Sequence, residues 1–190
     1  MNTFKAATIQ SSMRPPELIE TARLVLRRPE HRDAQEIFER YATDAEVTKY
    51  MGFRAHQSLD DTLAFLSTAD AEWERWSTGP YLVRSRVDNQ LLGATGLHFE
   101  TLSRAMTGYV FAKDAWGKGY ATETLRAMVD TARSAGVRRL YAICHTAHGP
   151  SRHVLEKCGF VCEGTLRAYM EFPNLDPGVP TDVFCYALIL

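Results

Sequence analysis

Apolar positions along the chain change period several times, and each change marks an element. Leu24-Val25-Leu26-Arg27 reads as a first strand, and a helix is expected from about Arg32 to Tyr41. Over Leu59 to Trp76 the spacing turns helical, with Leu63, Leu66 and Trp73 on one side. Tyr81-Leu82-Val83 and the run Leu91 to Leu97 flank Asp88-Asn89, which is a hairpin signal. A strand over Gly108 to Ala112 enters a glycine-containing turn and then a helix from Ala121 to Ser134. Ala121, Leu125, Met128, Val129 and Ala132 form the apolar stripe of that helix, and Gly136 ends it. Leu140 to Cys144 is a short strand, and Ser151 to Lys157 a helix stopped at Gly159. Thr165 to Glu171 and Asp182 to Ile189 are two last strands around a Pro/Gly-rich loop. Two helices, three strands, βαβ, α and ββ make an α/β order.

The turn between the fourth strand and its helix, Trp116-Gly117-Lys118-Gly119-Tyr120-Ala121-Thr122-Glu123, carries the most chemistry. A glycine-rich turn at a helix start leaves backbone N–H groups without intrahelical partners. Together with the positive end of the helix dipole, those donors suit a phosphate or pyrophosphate. A Walker loop is excluded, because the spacing is wrong and Lys118 is not followed by Ser or Thr. A dinucleotide fingerprint is excluded too, since Thr122 stands where a third small residue is needed.

Composition narrows the field. The 190 residues are 45% apolar and 24% charged, enough for one domain with a real core. Residues 1–18 are expected to form a loose tail around Pro15-Pro16, and 19–190 a single domain. The formal net charge of −1 argues against a nucleic-acid partner. No apolar run approaches the roughly 20 residues of a membrane span. Four cysteines without a secretory signal fit reduced cytoplasmic thiols. Cys144, His145, His148, His153, Cys158 and Cys162 lie close together, but no C-x-x-C pair exists and the spacings turn their side chains apart, so no metal is expected.

The loop resembles the pyrophosphate motif of the GCN5-related N-acetyltransferases (GNAT), Q/R-x-x-G-x-G/A, at Gly119 and Ala121, with Trp116 in the first position. In wording it is similar to the RimJ/RimL-like branch, which acetylates protein N-termini. Thr21-Ala22-Arg23-Leu24-Val25-Leu26-Arg27 is similar to the family's opening strand. Ser151-Arg152-His153-Val154-Leu155-Glu156-Lys157-Cys158-Gly159-Phe160 resembles its N-x-x-S-x-x-x-x-E-K-x-G-F, and Glu163-Gly164-Thr165-Leu166-Arg167 supplies a third match. The resemblance runs from about Glu20 to Leu190. It implies a mixed, mostly antiparallel sheet, splayed between its central strands, with helices on both faces.

It also implies acetyl-CoA as cosubstrate. Pantetheine is then expected on the backbone of Tyr109, Val110 and Phe111, and the pyrophosphate on the stretch Trp116, Gly117, Lys118, Gly119, Tyr120, Ala121 and Thr122. Lys118 and Arg152 are expected to reach the outer phosphates, or else to be solvated charges. His148 replaces the family's Asn beside pantetheine, and Leu155 replaces the Tyr that many relatives use as acid. Ser151 matches the serine placed near the sulfur, although a serine there could also cap its helix.

The Val110 amide is the expected oxyanion donor. Glu100 and Glu171 are the base candidates, with a surface carboxylate the plainer reading of each, and His98 is a weaker candidate whose plainer reading is a pocket or core histidine. Met106 stands where relatives often carry Glu. The acceptor side is assigned to Trp76, His98 and Tyr169, with core packing the plainer reading of the tryptophan. An α-amine of pKa about 8 is already partly neutral near pH 7, whereas a lysine at about 10.4 is not, so a weak base favours an α-amino acceptor. The expected activity is acetyl transfer to an α-amino group of a protein, peptide or amino-acid-like molecule, by a monomer or homodimer. Acetylation of a xenobiotic amine, or CoA binding with little turnover, are the open alternatives.

Overall fold

A computed structural model describes residues 14–190. One eight-stranded sheet organises them, in the order β1-β2-β3-β4-β5-β6-β8-β7. Its strands are β1 (Leu18–Glu20), β2 (Leu24–Arg27), β3 (Pro80–Ser85), β4 (Leu91–Thr101), β5 (Arg104–Phe111), β6 (Arg139–His145), β7 (Val161–Glu171) and β8 (Pro180–Ile189). Every neighbouring pair is antiparallel except β5 with β6. The helices are α1 (Ala34–Ile37), α2 (Ala45–Thr48), α3 (Leu59–Trp76), α4 (Tyr120–Ser134) and α5 (Gly149–Lys157).

Each face of the sheet has its own core. On one, Leu125, Met128 and Ala132 of α4 and Leu155 of α5 bury against Leu92, Leu97, Phe99 and Leu140. On the other, Ile37, Tyr41 and Leu66 pack on Leu82, Leu91 and Ala94. The strand period of two sorts β4 accordingly: Leu97 and Phe99 enter the first core, while Gly96, His98 and Glu100 face the second side.

Several elements depart from the sequence reading. The first helix is composite, with a 3₁₀ turn at His31–Asp33, α1, and a π turn at Phe38–Ala42. Arg27 holds its start by a bidentate pair with the buried Asp33 carboxylate. Burial alone would raise Asp33, but Arg27 and the Glu30 amide outweigh it and keep the carboxyl below its usual range. Helix α2 is an additional element, capped by Asp44, whose carboxylate accepts from the Glu46 and Val47 amides at 2.8 and 3.1 Å. At the N-terminus, β1 opens at Leu18, and the Tyr81 hydroxyl donates to the Pro16 carbonyl at 2.8 Å. The packed chain therefore reaches back into the stretch read as tail, whose residues 1–13 lie outside the described residues.

Candidate active site

Strands β5 and β6 pair only over Arg104, Ala105 and Met106 with Arg139, Leu140 and Tyr141. Beyond that point β5 stays with β4, and β6 stays with β8 along its whole length. The rest of β5 therefore has no strand pairing on its β6 side, and the sheet opens as a V. A cleft of about 820 Å³ begins there. Met106, Gly108, Tyr109 and Val110 line it from β5, Tyr141, Ile143 and His145 from β6, and His148 and Ser151 from the start of α5.

Ser151 is not the cap of α5. That helix begins at Gly149, with His148 at the N-cap position and Pro150 in its first turn. Ser151 thus sits inside the first turn, and its Oγ lies 3.1 Å from the Tyr109 hydroxyl. Burial pushes the Tyr109 phenol well above its ordinary pKa, so the group stays protonated.

The phosphate-type loop is pre-shaped. Gly117 and Gly119 take φ of 73° and 78°, a conformation that side chains disfavour, and Gly119 is the N-cap of α4. A Cβ on Gly117 would meet nothing within 4 Å, so the turn faces open space. The Trp116 indole N–H donates to the Phe111 carbonyl at 2.7 Å, tying the loop to the end of β5. From the other side Arg23 donates to the Lys118 carbonyl at 3.0 Å and lies over the Tyr120 ring at 4.8 Å. Glu123 locks Arg23, accepting from its Nε at 2.6 Å and its amide at 2.9 Å, and from the Thr21 hydroxyl at 2.6 Å. Burial raises Glu123, but these donors together hold it below its ordinary range. The sequence reading missed this clamp, although Arg23 and Glu123 both stood inside quoted motifs.

Among the expected phosphate ligands, Lys118 is exposed beside the turn and Arg152 is drawn elsewhere. The Arg152 guanidinium lies over the Phe184 ring at 5.0 Å, with Nε 3.4 Å from the Tyr186 hydroxyl. The loop's own guanidinium is Arg23. Ala121 and Thr122 lie partly exposed in the first turn of α4.

The acceptor side differs more from expectation. His98 and Tyr169 line the cleft, while Glu171 and Trp76 do not. Glu171 is exposed and pleats away from its neighbours Met170 and Phe172, which both face the cleft. Trp76 packs on the core from outside, with the Arg75 guanidinium over its ring at 5.1 Å. Glu100 does reach the cleft, but the Tyr141 hydroxyl and Arg104 Nε both donate to it and hold its carboxyl below the usual range. A carboxylate so stabilised is a poor proton acceptor.

Aromatic rings that the sequence did not single out wall the cleft. Tyr50 stacks on His145 and on His148, with centroids 4.8 and 4.7 Å apart, and Phe172 meets His145 edge-on at 4.8 Å. Burial pushes the His145 and His148 imidazoles below their ordinary pKa. The segment that carries Tyr50 is held by Asn174. Its amide donates to the carbonyls of Thr48 (2.8 Å) and Phe53 (2.7 Å) and accepts from the Ala55 amide at 2.8 Å. These partners lie more than a hundred residues away in sequence. Only the spacing of Asn174 after an apolar strand hints at a turn. Among the described residues no group of three His, Cys, Asp or Glu could hold a metal ion, and no helix is long and apolar enough to cross a membrane.

A parallel pair opened beside a glycine-turned helix N-terminus fits a protein that holds an extended, anion-bearing ligand. The comparisons with known proteins agree with that geometry. The family model of the acetyltransferase (GNAT) domain matches residues 23–161, and the chain belongs to that family: it is an N-acetyltransferase. The uncharacterized N-acetyltransferase YoaA of Bacillus subtilis strain 168 is 31% identical over 175 residues, which cover 90% of this chain and 96% of YoaA. A crystal structure of a GNAT-family acetyltransferase from Bacillus anthracis superposes with a TM-score of 0.78 at 25% identity, covering 90% of this chain and 98% of that one. RimL, the ribosomal L7/L12 alpha-N-protein acetyltransferase solved in complex with coenzyme A, shares the fold at a TM-score of 0.80 and 20% identity, over 92% and 98% of the two chains.

Proposed function

We propose that the protein moves acetyl from acetyl-CoA to the α-amino group of a protein or peptide. The observation that carries this reading is the opening of β5 from β6 beyond Met106, with Ser151 and Tyr109 on its wall and the cleft beyond. In this reading pantetheine lies along the free edge of β5 at Tyr109, Val110 and Phe111, and the pyrophosphate rests on the amides that follow Gly117. Acetyl-CoA supplies an activated acyl group on a good leaving thiol, whose pKa is about 8.5. The protein's residues orient the acyl group, donate to its oxygen from the Val110 amide and donate to the departing sulfur from Ser151.

Among the described residues no lysine or arginine lines the cleft, whereas Glu72 and Glu100 do. Such a lining suits an amine that carries no carboxylate next to it, which describes a peptide N-terminus better than a free amino acid. The loop wording, similar to RimJ/RimL-like enzymes, supports the same acceptor, and we place the protein in the cytoplasm, where its four free thiols stay reduced. A small aromatic amine is the second reading, favoured by the stack of Tyr50, His145 and His148. Incubation with acetyl-CoA and two peptides, one with a free N-terminus and no lysine, one N-blocked with lysine, distinguishes acceptors by mass spectrometry. Predominant lysine modification overturns the α-amino assignment, and transfer to aromatic amines alone selects the second reading.

A further inference from the structure

We infer that His98, oriented by Glu72, is the group that removes the proton from the acceptor amine. This rests on the acetyl-transfer reading above and adds the base which that reading lacks. Four imidazoles line the cleft, and three are engaged. His145 Nδ1 accepts from the Ala147 amide at 3.0 Å, His148 is stacked under Tyr50, and His56 Nδ1 lies 2.8 Å from the Thr62 hydroxyl. His98 is different. It is half exposed on the cleft, and its Nδ1 lies 3.4 Å from the Glu72 carboxylate of α3.

The Glu72 carboxylate near Nδ1 favours the tautomer with its proton on that nitrogen, which leaves Nε2 as the acceptor. In the sheet, His98 stands directly opposite Met106, at the point where β5 and β6 begin to part. The base is therefore on β4, across from the β5 position that holds only a thioether. The other charged groups around His98 are accounted for. Glu100, two residues along the same face, is tied to Tyr141 of β6 and Arg104 of β5, whose hydrogen bonds hold it ionised. Glu100 thus shapes the field without competing for the proton.

The step balances. The bound ammonium loses one proton to His98 Nε2, and its lone pair forms the C–N bond to the acetyl carbon. The C–S bond breaks, and the second nitrogen proton leaves with the sulfur as thiol. His98 then releases its proton to solvent. Glu72 is a positioning residue, acting only through the imidazole.

The test uses the full chain and whichever amine the wild type acetylates. At saturating amine the wild type should keep kcat below the acceptor's own ionisation, about pH 8 for an α-amine. His98→Gln should lower kcat at pH 7 about 10²-fold and move its acid limb up to that ionisation. Nitrogen NMR of the ¹⁵N-histidine-labelled protein should show His98 protonated on Nδ1 in the wild type, and shifted toward the Nε2-protonated form in Glu72→Gln. His98 is surface-accessible, so both variants should melt as the wild type does. A His98→Gln variant with an unchanged pH profile overturns the inference, as does a Glu72→Gln variant with an unchanged tautomer. If no amine is acetylated, the acetyl-transfer reading fails, while the tautomer measurement still judges the Glu72–His98 pair.

Discussion

The Tyr109 hydroxyl, projecting from β5, meets Ser151 of α5 twice: it donates to the Ser151 carbonyl and lies beside Oγ, each at 3.1 Å. The phenol therefore ties β5 to the first turn of α5, and Leu155, the position where many relatives carry a tyrosine, stands one turn further along that helix. Serine and phenol should therefore work as one unit on the departing sulfur. Ser151→Ala should lower kcat more than it raises KM for acetyl-CoA. Tyr109→Phe should lower kcat about 10-fold, and the double variant should be no slower than Ser151→Ala. Steady-state kinetics on the three variants check this, and additive losses would show that the two hydroxyls act separately.

The two long helices and the glycine turn were legible because their signals are local. Helix α3 spans Leu59–Trp76 as its spacing predicts, and α4 begins within a residue of the expected start. The glycine turn needs two residues at positive φ, which only a few residue types supply. The acceptor side was not legible, because it is assembled from the segment after α2, from α3, β4 and β7, and from the segment after β7. Glu171 and Tyr169 illustrate the difficulty. A register shift in β7 between Leu166 and Met170 turns Tyr169 onto the cleft, with Ala168 at φ 43° and its amide held by Asp182 at 2.9 Å. No alternation rule applied from the strand's start carries through that shift. The contacts of Arg152 were hidden for a related reason: its partners Phe184 and Tyr186 lie on β8.

Gly119 offers a direct test of the loop. At φ 78° it caps α4, and a Cβ there would sit 3.5 Å from an Arg23 nitrogen, an ordinary contact. Space is thus available, while the positive φ strains any side chain, Asp and Asn less than most. Gly119→Asp should lower acetyl-CoA affinity at least 10-fold, about 1.4 kcal/mol, by opposing the diphosphate with a carboxylate. Gly119→Asn, which accepts positive φ and adds no charge, should lose less. Calorimetric titration of both variants measures the difference, and equal affinities for wild type and Gly119→Asp would remove the diphosphate from this turn.

Asn174 pins the chain over the cleft through three hydrogen bonds to backbone between Thr48 and Ala55. Gly52 packs against the Met170 side chain of β7: a Cβ there would lie 2.8 Å from its methyl, which would have to shift. Asn174→Ala leaves those backbone groups to water and costs about 1–3 kcal/mol locally. Hydrogen exchange should accelerate over residues 48–55, and KM for the acceptor should rise several-fold with KM for acetyl-CoA little changed. An acetyl-CoA effect as large as the acceptor effect would mean that the segment serves both sites.

His148 supplies a pH test that separates it from the carboxylates. Burial, with a smaller contribution from His145, holds its folded pKa below the ordinary 6.5. In the window between those two values the unfolded chain binds the proton and the folded chain does not. Stability is therefore complete above about pH 6.5 and falls as the pH drops through the folded value, by at most about 1.4 kcal/mol per pH unit for this group. Asp33, Glu100 and Glu123 are also held below their ordinary values, so their contribution is lost only below about pH 4.5. His148→Asn, which keeps a polar N-cap and cannot titrate, should start from a different melting temperature because the Tyr50 stack is gone. The slope is the readout: between pH 7.5 and 5.0 the variant should lose less melting temperature than the wild type. Equal slopes would mean that His148 takes up its proton in the folded protein without cost.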